Sequence, residues 1–212
     1  MKRNNQLNFL IADDHSIVRQ GVSIVIGDVF VNSNIYHASS ISDTMKHVRS
    51  IRLDLIVLDI SFSEGNTLEL VKYIKDVNPD VKILIFSAHD ENIYGVRYLK
   101  QGADGYIDKG CSDDQFISAI KSVLLNGRYT SKQLGDRILN SYLLKKNQNP
   151  FEILSNRELQ ISSLLIEGCS NGEISEKLNL SRTTISTYKL RLFEKLSINS
   201  VAELIQLNNL YS

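Results

Sequence analysis

The sequence has little cysteine and proline and no tryptophan. Its two cysteines, Cys111 and Cys169, lie far apart without a paired ligand spacing. That spacing excludes a disulfide framework and a cysteine metal site, and it predicts reduced thiols in a cytoplasmic protein. Two prolines among 212 residues argue against a disordered tail. There is neither an export signal nor an apolar run near the roughly 20 residues that cross a bilayer, so no membrane contact is expected.

An excess of charge of one sign is also missing, because 24 basic residues balance 24 acidic ones. Overall charge therefore gives no support for nucleic-acid binding. The distribution is less even, since five basic residues face one acidic residue between Lys177 and Lys195. Support for an anionic partner has to come from local clusters of this kind.

Length and periodicity predict two domains of different class. Over residues 1–127, short β-rich runs alternate with helix-period segments, which predicts an α/β domain with a doubly wound, five-stranded parallel sheet. The predicted strands are 7–12, 34–37, 55–60, 81–86 and 105–107, and the predicted helices are 15–26, 41–52, 64–77, 92–101 and 113–125. Residues 128–151 are polar and basic, and we expect a linker there with one helix from Ser131 to Leu144.

Residues 152–212 show no strand pattern and are predicted to form an all-α domain of four helices. Capping boxes of the Ser-x-x-Glu type begin at Ser155, Ser170 and Ser200, and Ser181 supplies a further N-cap. These signals predict helices at about 156–167, 171–178, 182–196 and 201–209. The second and third helices are joined by Asn179 and Leu180 alone, and such a tight connection before a longer helix is typical of a helix-turn-helix.

Reactive side chains follow four of the predicted strands. Asp13 and Asp14 follow the first strand, Asp59 lies at the end of the third, and Ser87 and Lys109 follow the fourth and fifth. Parallel strands bind ligands at their carboxyl ends, so we expect these groups to converge. Three carboxylates repel one another unless a cation neutralises them, which predicts a Mg²⁺ site. Asp59 is then a candidate nucleophile that forms an aspartyl phosphate, and Ser87 is a candidate donor to a phosphoryl oxygen.

Taken one at a time, these residues have simpler explanations. A single aspartate is more often a loop residue or helix cap, a serine a turn residue, and a lysine a solvated surface charge. Their occurrence at successive strand ends in one order favours the functional interpretation over chance.

Residues 1–127 resemble the receiver domain of two-component response regulators. The matching segments are 11–15, 55–59, 86–88 and 105–109. The resemblance implies that a sensor histidine kinase phosphorylates Asp59 and that Asp13, Asp14, Asp59 and the Ser61 carbonyl hold Mg²⁺. It also implies that Tyr106 swings inward when Ser87 moves toward the phosphoryl group, although a half-buried strand aromatic is an alternative for Tyr106. Residues 61–67 depart from the family pattern, because its usual proline and later glycine are replaced.

Residues 152–210 resemble the LuxR-type helix-turn-helix of the NarL/FixJ family. On helix 182–196, a spacing of about 100° per residue places Ile185, Tyr188, Leu192 and Leu196 on one side. The opposite side carries hydroxyl, guanidinium and aliphatic groups that suit base edges and phosphates. The predicted DNA contacts are Thr183, Ser186, Thr187, Lys189, Leu190 and Arg191. An amphipathic surface helix without a DNA role is the alternative.

Two departures from that family concern charge. Segment 184–189 most resembles the variant of BvgA- and EvgA-like regulators, with Ser186 where most members have lysine. Gly172 likewise replaces a common lysine near the start of the second helix. Fewer charges then reach the DNA backbone, and a shallower salt dependence is expected. The family also implies a homodimer on DNA through the last helix, at Val201, Leu204, Ile205 and Asn208, although these residues could instead complete the domain core.

The combined expectation is a bacterial response regulator in which phosphorylation of Asp59 controls promoter binding and transcription, with RNA polymerase as a further partner and no turnover of outside substrates. One alternative is a phosphatase with an aspartyl intermediate. Such enzymes carry an Asp-x-Asp motif whose second acid supplies general acid/base catalysis, and this chain has Ser61 at that position. Another alternative is a phosphorylation-independent adaptor, which would be expected to lack Asp59 or Lys109.

Overall fold

The computed structural model describes residues 6–62, 67–143 and 149–211. The chain divides into two compact units, 1–144 and 145–212. In the first unit, five parallel strands form one sheet in the order β2-β1-β3-β4-β5, which confirms the predicted doubly wound fold. The strands are β1 (Leu7–Ala12), β2 (Ser33–Ala38), β3 (Leu55–Leu58), β4 (Lys82–Ser87) and β5 (Gly105–Asp108). The helices are α1 (Ser16–Val29), α2 (Ile41–Ser50), α3 (Thr67–Val77), α4 (Glu91–Gln101), α5 (Asp113–Asn126) and α6 (Lys132–Leu143).

The central strands are buried on both faces. All four residues of β3 and the last four of β1 are buried, because helices cover both sides of the sheet. One core cluster joins the sheet to α1 and α5 and contains Phe9, Ile11, Val22, Ile26, Leu55, Val57, Leu84, Ile107, Phe116, Ile117, Ala119, Ile120 and Val123. This continuous apolar core fixes the strand ends from which the reactive residues project.

The register of the sheet aligns those strand ends. Ala12 pairs with Leu58 in β3 and with Ala38 in β2, and Ser87 pairs with Asp108. The third strand is shorter than the predicted 55–60. Just beyond Leu58, the Asp59 N–H still donates to the Ala12 carbonyl at 2.8 Å, and the Ile60 N–H donates to Asp59 Oδ1 at 2.7 Å.

Helix α6 packs against α4 in the first unit. The fully buried Leu134 side chain lies over Gly95, where an added Cβ would be 2.9 Å from Leu134 Cδ2. Ser131 caps α6 by accepting the Leu134 N–H at 3.1 Å, and its hydroxyl donates to the Glu91 carboxylate on α4. The predicted helix 131–144 is therefore present over 132–143, and residue 144 lies outside the described residues. The predicted linker bounds of 128 and 151 stay predictions.

The second unit is helical. After a 3₁₀ turn over Pro150–Ile153, it contains α7 (Asn156–Ile166), α8 (Asn171–Leu178), α9 (Arg182–Leu196) and α10 (Val201–Tyr211). Reciprocal capping boxes begin α7 at Ser155 and α8 at Ser170, as the sequence predicts. The box at Ser200 is altered, because Glu203 accepts the N–H of Asn199 at 3.0 Å. Asn179 ends α8 in the left-handed conformation (φ 51°), which permits the sharp turn into α9.

An ion pair between the exposed Lys195 and the buried Glu158 ties α9 to α7. Lys195 Nζ donates to Glu158 Oε2 at 2.7 Å, and the Ser155 N–H donates to the same oxygen at 2.6 Å. Burial would raise the pKa of Glu158, but these hydrogen bonds outweigh it and the pKa is lowered. Among the described residues, none of the helices combines the length and the apolar character that crossing a membrane requires.

Candidate functional sites

The strand ends bring the three predicted carboxylates together. The Asp13 N–H donates to the Ala38 carbonyl at 3.1 Å, and the Asp59 N–H donates to the Ala12 carbonyl at 2.8 Å. Asp13 and Asp59 are each only 2% exposed. One potential ligand atom from each of Asp13, Asp14, His15 and Asp59 lies within 4.8 Å of the others. The backbone thus places these side chains at one point of the sheet edge.

Lys109 supplies a positive charge to this pocket. Its Nζ lies 2.6 Å from Asp13 Oδ2 and 3.0 Å from Asp59 Oδ2. Burial would lower the pKa of Lys109, but the hydrogen bond to Asp13 and the charge of Asp59 outweigh it and the pKa is raised. The side chain therefore remains an ammonium at neutral pH.

The electrostatics of Asp59 differ from those of a simple ion pair. Burial raises its pKa despite the attraction of Lys109, and the nearby Asp13 carboxylate raises it further. Asp59 Oδ2 and Asp14 Oδ1 are buried and lack a hydrogen bond of regular geometry among the described residues, although each lies near a nitrogen. Buried oxygens that remain short of donors, in a set of hard carboxylate ligands, fit a divalent cation such as Mg²⁺.

His15 belongs to this cluster, although the sequence interpretation gave it no role. Its Nδ1 lies 2.8 Å from Asp14 Oδ1 and 3.2 Å from Asp13 Oδ1, and its backbone N–H donates to Asp13 Oδ1 at 2.8 Å. The imidazole remains largely exposed. The available signal was the adjacency of an imidazole to two acids in the run Asp13-Asp14-His15.

Ser87 and Tyr106 meet at the loop between β4 and α4. Ser87 is fully buried, and its Oγ accepts the His89 N–H at 3.2 Å. Tyr106 is also fully buried, and its hydroxyl donates to the His89 carbonyl at 2.8 Å. Burial raises the pKa of the Tyr106 hydroxyl above its usual range. The tyrosine thus lies in the inward position and is not the half-buried aromatic of the alternative interpretation.

The loop after β3 is described only in part. Ser61 is half-buried and Phe62 is buried, whereas the predicted departure from the family pattern continues through residues 63–66, which lie outside the described residues. At the start of α3, the hydroxyls of Thr67 and Tyr98 lie 2.6 Å apart. The metal-binding role of the Ser61 carbonyl stays a prediction.

Helix α9 has the two faces that its sequence predicts. Ile185 and Leu192 are fully buried and Leu196 is nearly so, while Tyr188 is half-buried. The exposed residues include Thr183, Ser186, Thr187, Leu190 and Arg191. Lys189 lies at the border, with Nζ 5.5 Å from the Phe193 ring centroid. The exposed face offers hydroxyl, guanidinium and aliphatic groups to a partner.

The predicted dimer residues on α10 differ in exposure. Leu204 is fully buried within its own unit, which agrees with the alternative that it completes the domain core. Ile205 is exposed, and Val201 and Asn208 are half-buried. Exposure therefore differs between neighbouring residues of one helix, and the dimer contacts on α10 stay a prediction.

Comparison with known proteins places both units. A response regulator receiver domain matches residues 9–121, and the luxR family of bacterial regulatory proteins matches residues 152–208. The response regulator UvrY of Escherichia coli K12 is 35% identical over 202 residues, which cover 95% of this chain and 93% of that protein. The response regulator GacA of Pseudomonas aeruginosa is 33% identical over 200 residues, with 93% of each chain covered.

A solved structure of RcsB from Salmonella enterica serovar Typhimurium has the same fold, with a TM-score of 0.60 and 22% identity over 96% of this chain and 98% of that one. Family membership also decides against the phosphatase alternative, because these relatives are regulators. The two matched domains stand in chain order, and the relatives are covered almost from end to end. The chain therefore belongs to the two-component response regulators in which a receiver domain is followed by a LuxR-type DNA-binding domain.

Proposed function

We propose that Asp59 is the phosphoacceptor of this regulator and that a sensor histidine kinase phosphorylates it to control promoter binding by α9. The observation that supports the proposal best is the position of Asp59 Oδ2, which lies 3.0 Å from Lys109 Nζ in a pocket shared with Asp13 and Asp14. The Ile60 N–H holds the other carboxylate oxygen. Oδ2 is therefore the oxygen oriented to attack a phosphoryl group.

Asp13, Asp14, Asp59 and the Ser61 carbonyl would hold Mg²⁺. When bound, the ion would neutralise the carboxylates and the charge of the incoming phosphoryl group. Lys109, which contacts both Asp13 and Asp59, would give up one of these two ion pairs and form a new one with a phosphoryl oxygen. The receiver thus needs no further acid or base to accept the group.

The β4–α4 loop is proposed to transmit a change in the pocket to the rest of the receiver. Ser87 and Tyr106 both bond to His89, which lies two residues before α4. A Ser87 hydroxyl that turns toward a phosphoryl oxygen would give up the His89 N–H, so the loop and the start of α4 would shift. The inward Tyr106 would hold the shifted loop through the His89 carbonyl. Helix α6 packs on α4 and would respond to the same shift.

At the DNA, we assign base and phosphate contacts to Thr183, Ser186, Thr187, Lys189, Leu190 and Arg191. A homodimer that forms through the exposed part of α10, at Val201, Ile205 and Asn208, would present two copies of α9 to half-sites about one DNA turn apart. The regulator would act in the cytoplasm, where its kinase, promoter DNA and RNA polymerase meet.

Phosphorylation can be tested with a small acyl phosphate donor and Mg²⁺, with the intact mass as the readout. The wild-type chain and Asp28→Asn, which alters an exposed acid at the end of α1, should each gain one phosphoryl group. Asp59→Asn should gain none, because the nucleophilic oxygen is replaced by an amide. A phosphoryl group on Asp59→Asn would overturn the assignment.

DNA control can be tested by selection from a pool of random-sequence duplexes. The phosphorylated wild-type chain should enrich a two-fold symmetric sequence and retain more DNA than the untreated chain. Asp59→Asn should retain the same amount with and without the donor. Equal retention by treated and untreated wild-type protein would contradict control by phosphorylation while leaving DNA binding intact.

A further inference from the structure

Gly172, in the first turn of α8, lies beside the Arg182 side chain. It is not among the glycines with positive φ, so its backbone conformation does not require glycine. The three atoms nearest to a Cβ built at Gly172 all belong to the Arg182 guanidinium, with Nη2 at 3.4 Å and Cζ and Nε each at 3.7 Å. The Arg182 guanidinium therefore lies over the start of α8, at van der Waals distance from the position of a Cβ at residue 172.

The charge of Arg182 has no acidic partner among the residues that the structure describes. Arg182 is exposed, and none of the carboxylates within the described ranges 6–62, 67–143 and 149–211 forms an ion pair with it. Glu173 follows Gly172 directly in the sequence, but its Oε2 accepts the Ser170 N–H at 2.7 Å in the capping box. Glu173 also lies in the first turn of α8, where its carboxylate offsets the positive end of the helix dipole. The Arg182 guanidinium, which forms no ion pair with a described carboxylate, is therefore the group that favours an anion at this point.

Arg182 is also the first residue of the helix that carries the predicted DNA contacts, and Thr183 follows it directly. The resemblance to LuxR-type domains places a lysine at position 172 in most members, and this chain has glycine there. A guanidinium is permanently charged, and its planar N–H groups can donate in pairs to phosphate oxygens. We propose that Arg182, positioned over Gly172, binds a phosphate of the DNA backbone in place of that lysine. This inference rests on the DNA-binding function of the second unit.

The salt dependence of DNA binding tests the proposal. The full chain would be titrated onto a fluorescent duplex of arbitrary sequence over a series of salt concentrations, because phosphate contacts supply nearly all non-specific affinity. Arg182→Ala should lower the slope of log K against log salt by about 0.9, the value for one lost phosphate contact. Lys121→Ala removes an exposed charge from α5 in the receiver and should leave the slope unchanged.

A rescue variant tests the position of the charge. Arg182→Ala combined with Gly172→Lys should restore the wild-type slope, because a cation returns to the same point on α8. Arg182→Gln keeps most of the length of the side chain but not its charge, so it should lower the slope by the same amount as Arg182→Ala. Unchanged thermal unfolding is expected of the two single Arg182 variants, since Arg182 is exposed and forms no ion pair with a described carboxylate.

Three results would overturn the inference. An unchanged slope in Arg182→Ala would remove the phosphate contact, and lower affinity with an unchanged slope would assign Arg182 a structural or base-reading role. If Gly172→Lys does not restore the slope, the phosphate contact does not lie at the start of α8. A wild-type chain that binds no duplex at all would instead contradict the DNA-binding function, so the two failures can be told apart.

Discussion

Each unit buries a carboxylate beside a lysine, and the two carboxylates respond in opposite directions. Asp59 is 2% exposed and lies 3.0 Å from Lys109, and its pKa is raised. Glu158 is 3% exposed and lies 2.7 Å from Lys195, and its pKa is lowered. Burial alone therefore does not decide the ionisation of a buried acid.

Burial is the largest influence on both carboxylates, and for Asp59 a second acid also shares the cation that opposes it. Lys109 contacts Asp13 and Asp59 together, so neither carboxylate has the ammonium to itself. Glu158 shares Lys195 with no second acid among the described residues, and the Ser155 N–H donates to the same oxygen. A second carboxylate beside one lysine thus leaves an excess of negative charge in the pocket, which fits the cation proposed above.

The largest effect is expected when the structural pair is broken. Lys195→Met would leave Glu158 buried without its cation and should lower the free energy of opening of the helical unit by about 2.5 kcal/mol, below the value for a fully buried pair because the Lys195 side chain is 41% exposed. Amide hydrogen exchange in α7 and α9 reports that free energy. Lys177→Met, which alters an exposed lysine on α8, should leave exchange unchanged.

The same variant has a defined pH dependence. Because the pKa of Glu158 is lowered in the folded state, its stabilising effect is full above the unfolded pKa of about 4.3 and is lost as the pH falls through the folded value. Lys195→Met should therefore approach the wild type in stability on acidification. A difference that persists undiminished in acid would show that packing, and not charge, carries the contribution of Lys195.

Neutralising the proposed phosphoacceptor, Asp59, should change stability in the opposite direction. Asp59→Asn removes a buried charge that shares its cation, and in buffer with chelator it should raise the stability of the receiver by about 1 kcal/mol. A raised folded pKa means that ionised Asp59 destabilises the fold above that pKa, and that this cost disappears as the pH falls below about 4. The gain should therefore be largest at neutral pH. Urea unfolding of wild type and variant at the two pH values measures it.

Asp104 provides the matched control in the same domain. Its carboxylate accepts from Lys75 Nζ at 2.6 Å, the Ile83 N–H at 2.9 Å and Lys82 Nζ at 3.3 Å. Asp104→Asn should lower stability by about 2 kcal/mol, because these donors lose a charged acceptor. Destabilisation of similar size in Asp59→Asn would remove the contrast between the reactive and structural acids.

Local periodicity was sufficient to predict the fold and most of the pocket. Parallel βα units require strand ends to meet at one edge, so the positions of Asp13 and Asp59 after their strands could be converted into proximity. A helical spacing of about 100° likewise separated the buried Ile185 from the exposed Thr183 on α9. These features depend on neighbours that are close in sequence or fixed by topology.

The features that sequence did not predict depend on a partner from elsewhere in the chain. Leu204 has the same apolar character as Ile205, and only the packing of α10 separates core from surface. The Arg182 guanidinium lies over Gly172, ten residues earlier in the chain. Periodicity gives the face of a helix but not the element that covers it, so helix α6 was predicted without its partner α4.

The packing of α6 on α4 gives the smallest effect, about 1 kcal/mol, and depends on shape instead of charge. Replacing glycine by alanine inside a helix gains about 1 kcal/mol when space allows. At Gly95 the new Cβ would lie 2.9 Å from Leu134 Cδ2, so Gly95→Ala should gain little in the wild type and the full amount in Leu134→Ala. Gly21→Ala on α1, where nothing lies within 4 Å, should gain equally in both backgrounds. Urea unfolding of the double-mutant cycle gives the coupling, and equal gains at Gly95 in both backgrounds would mean that α6 does not rest on this glycine.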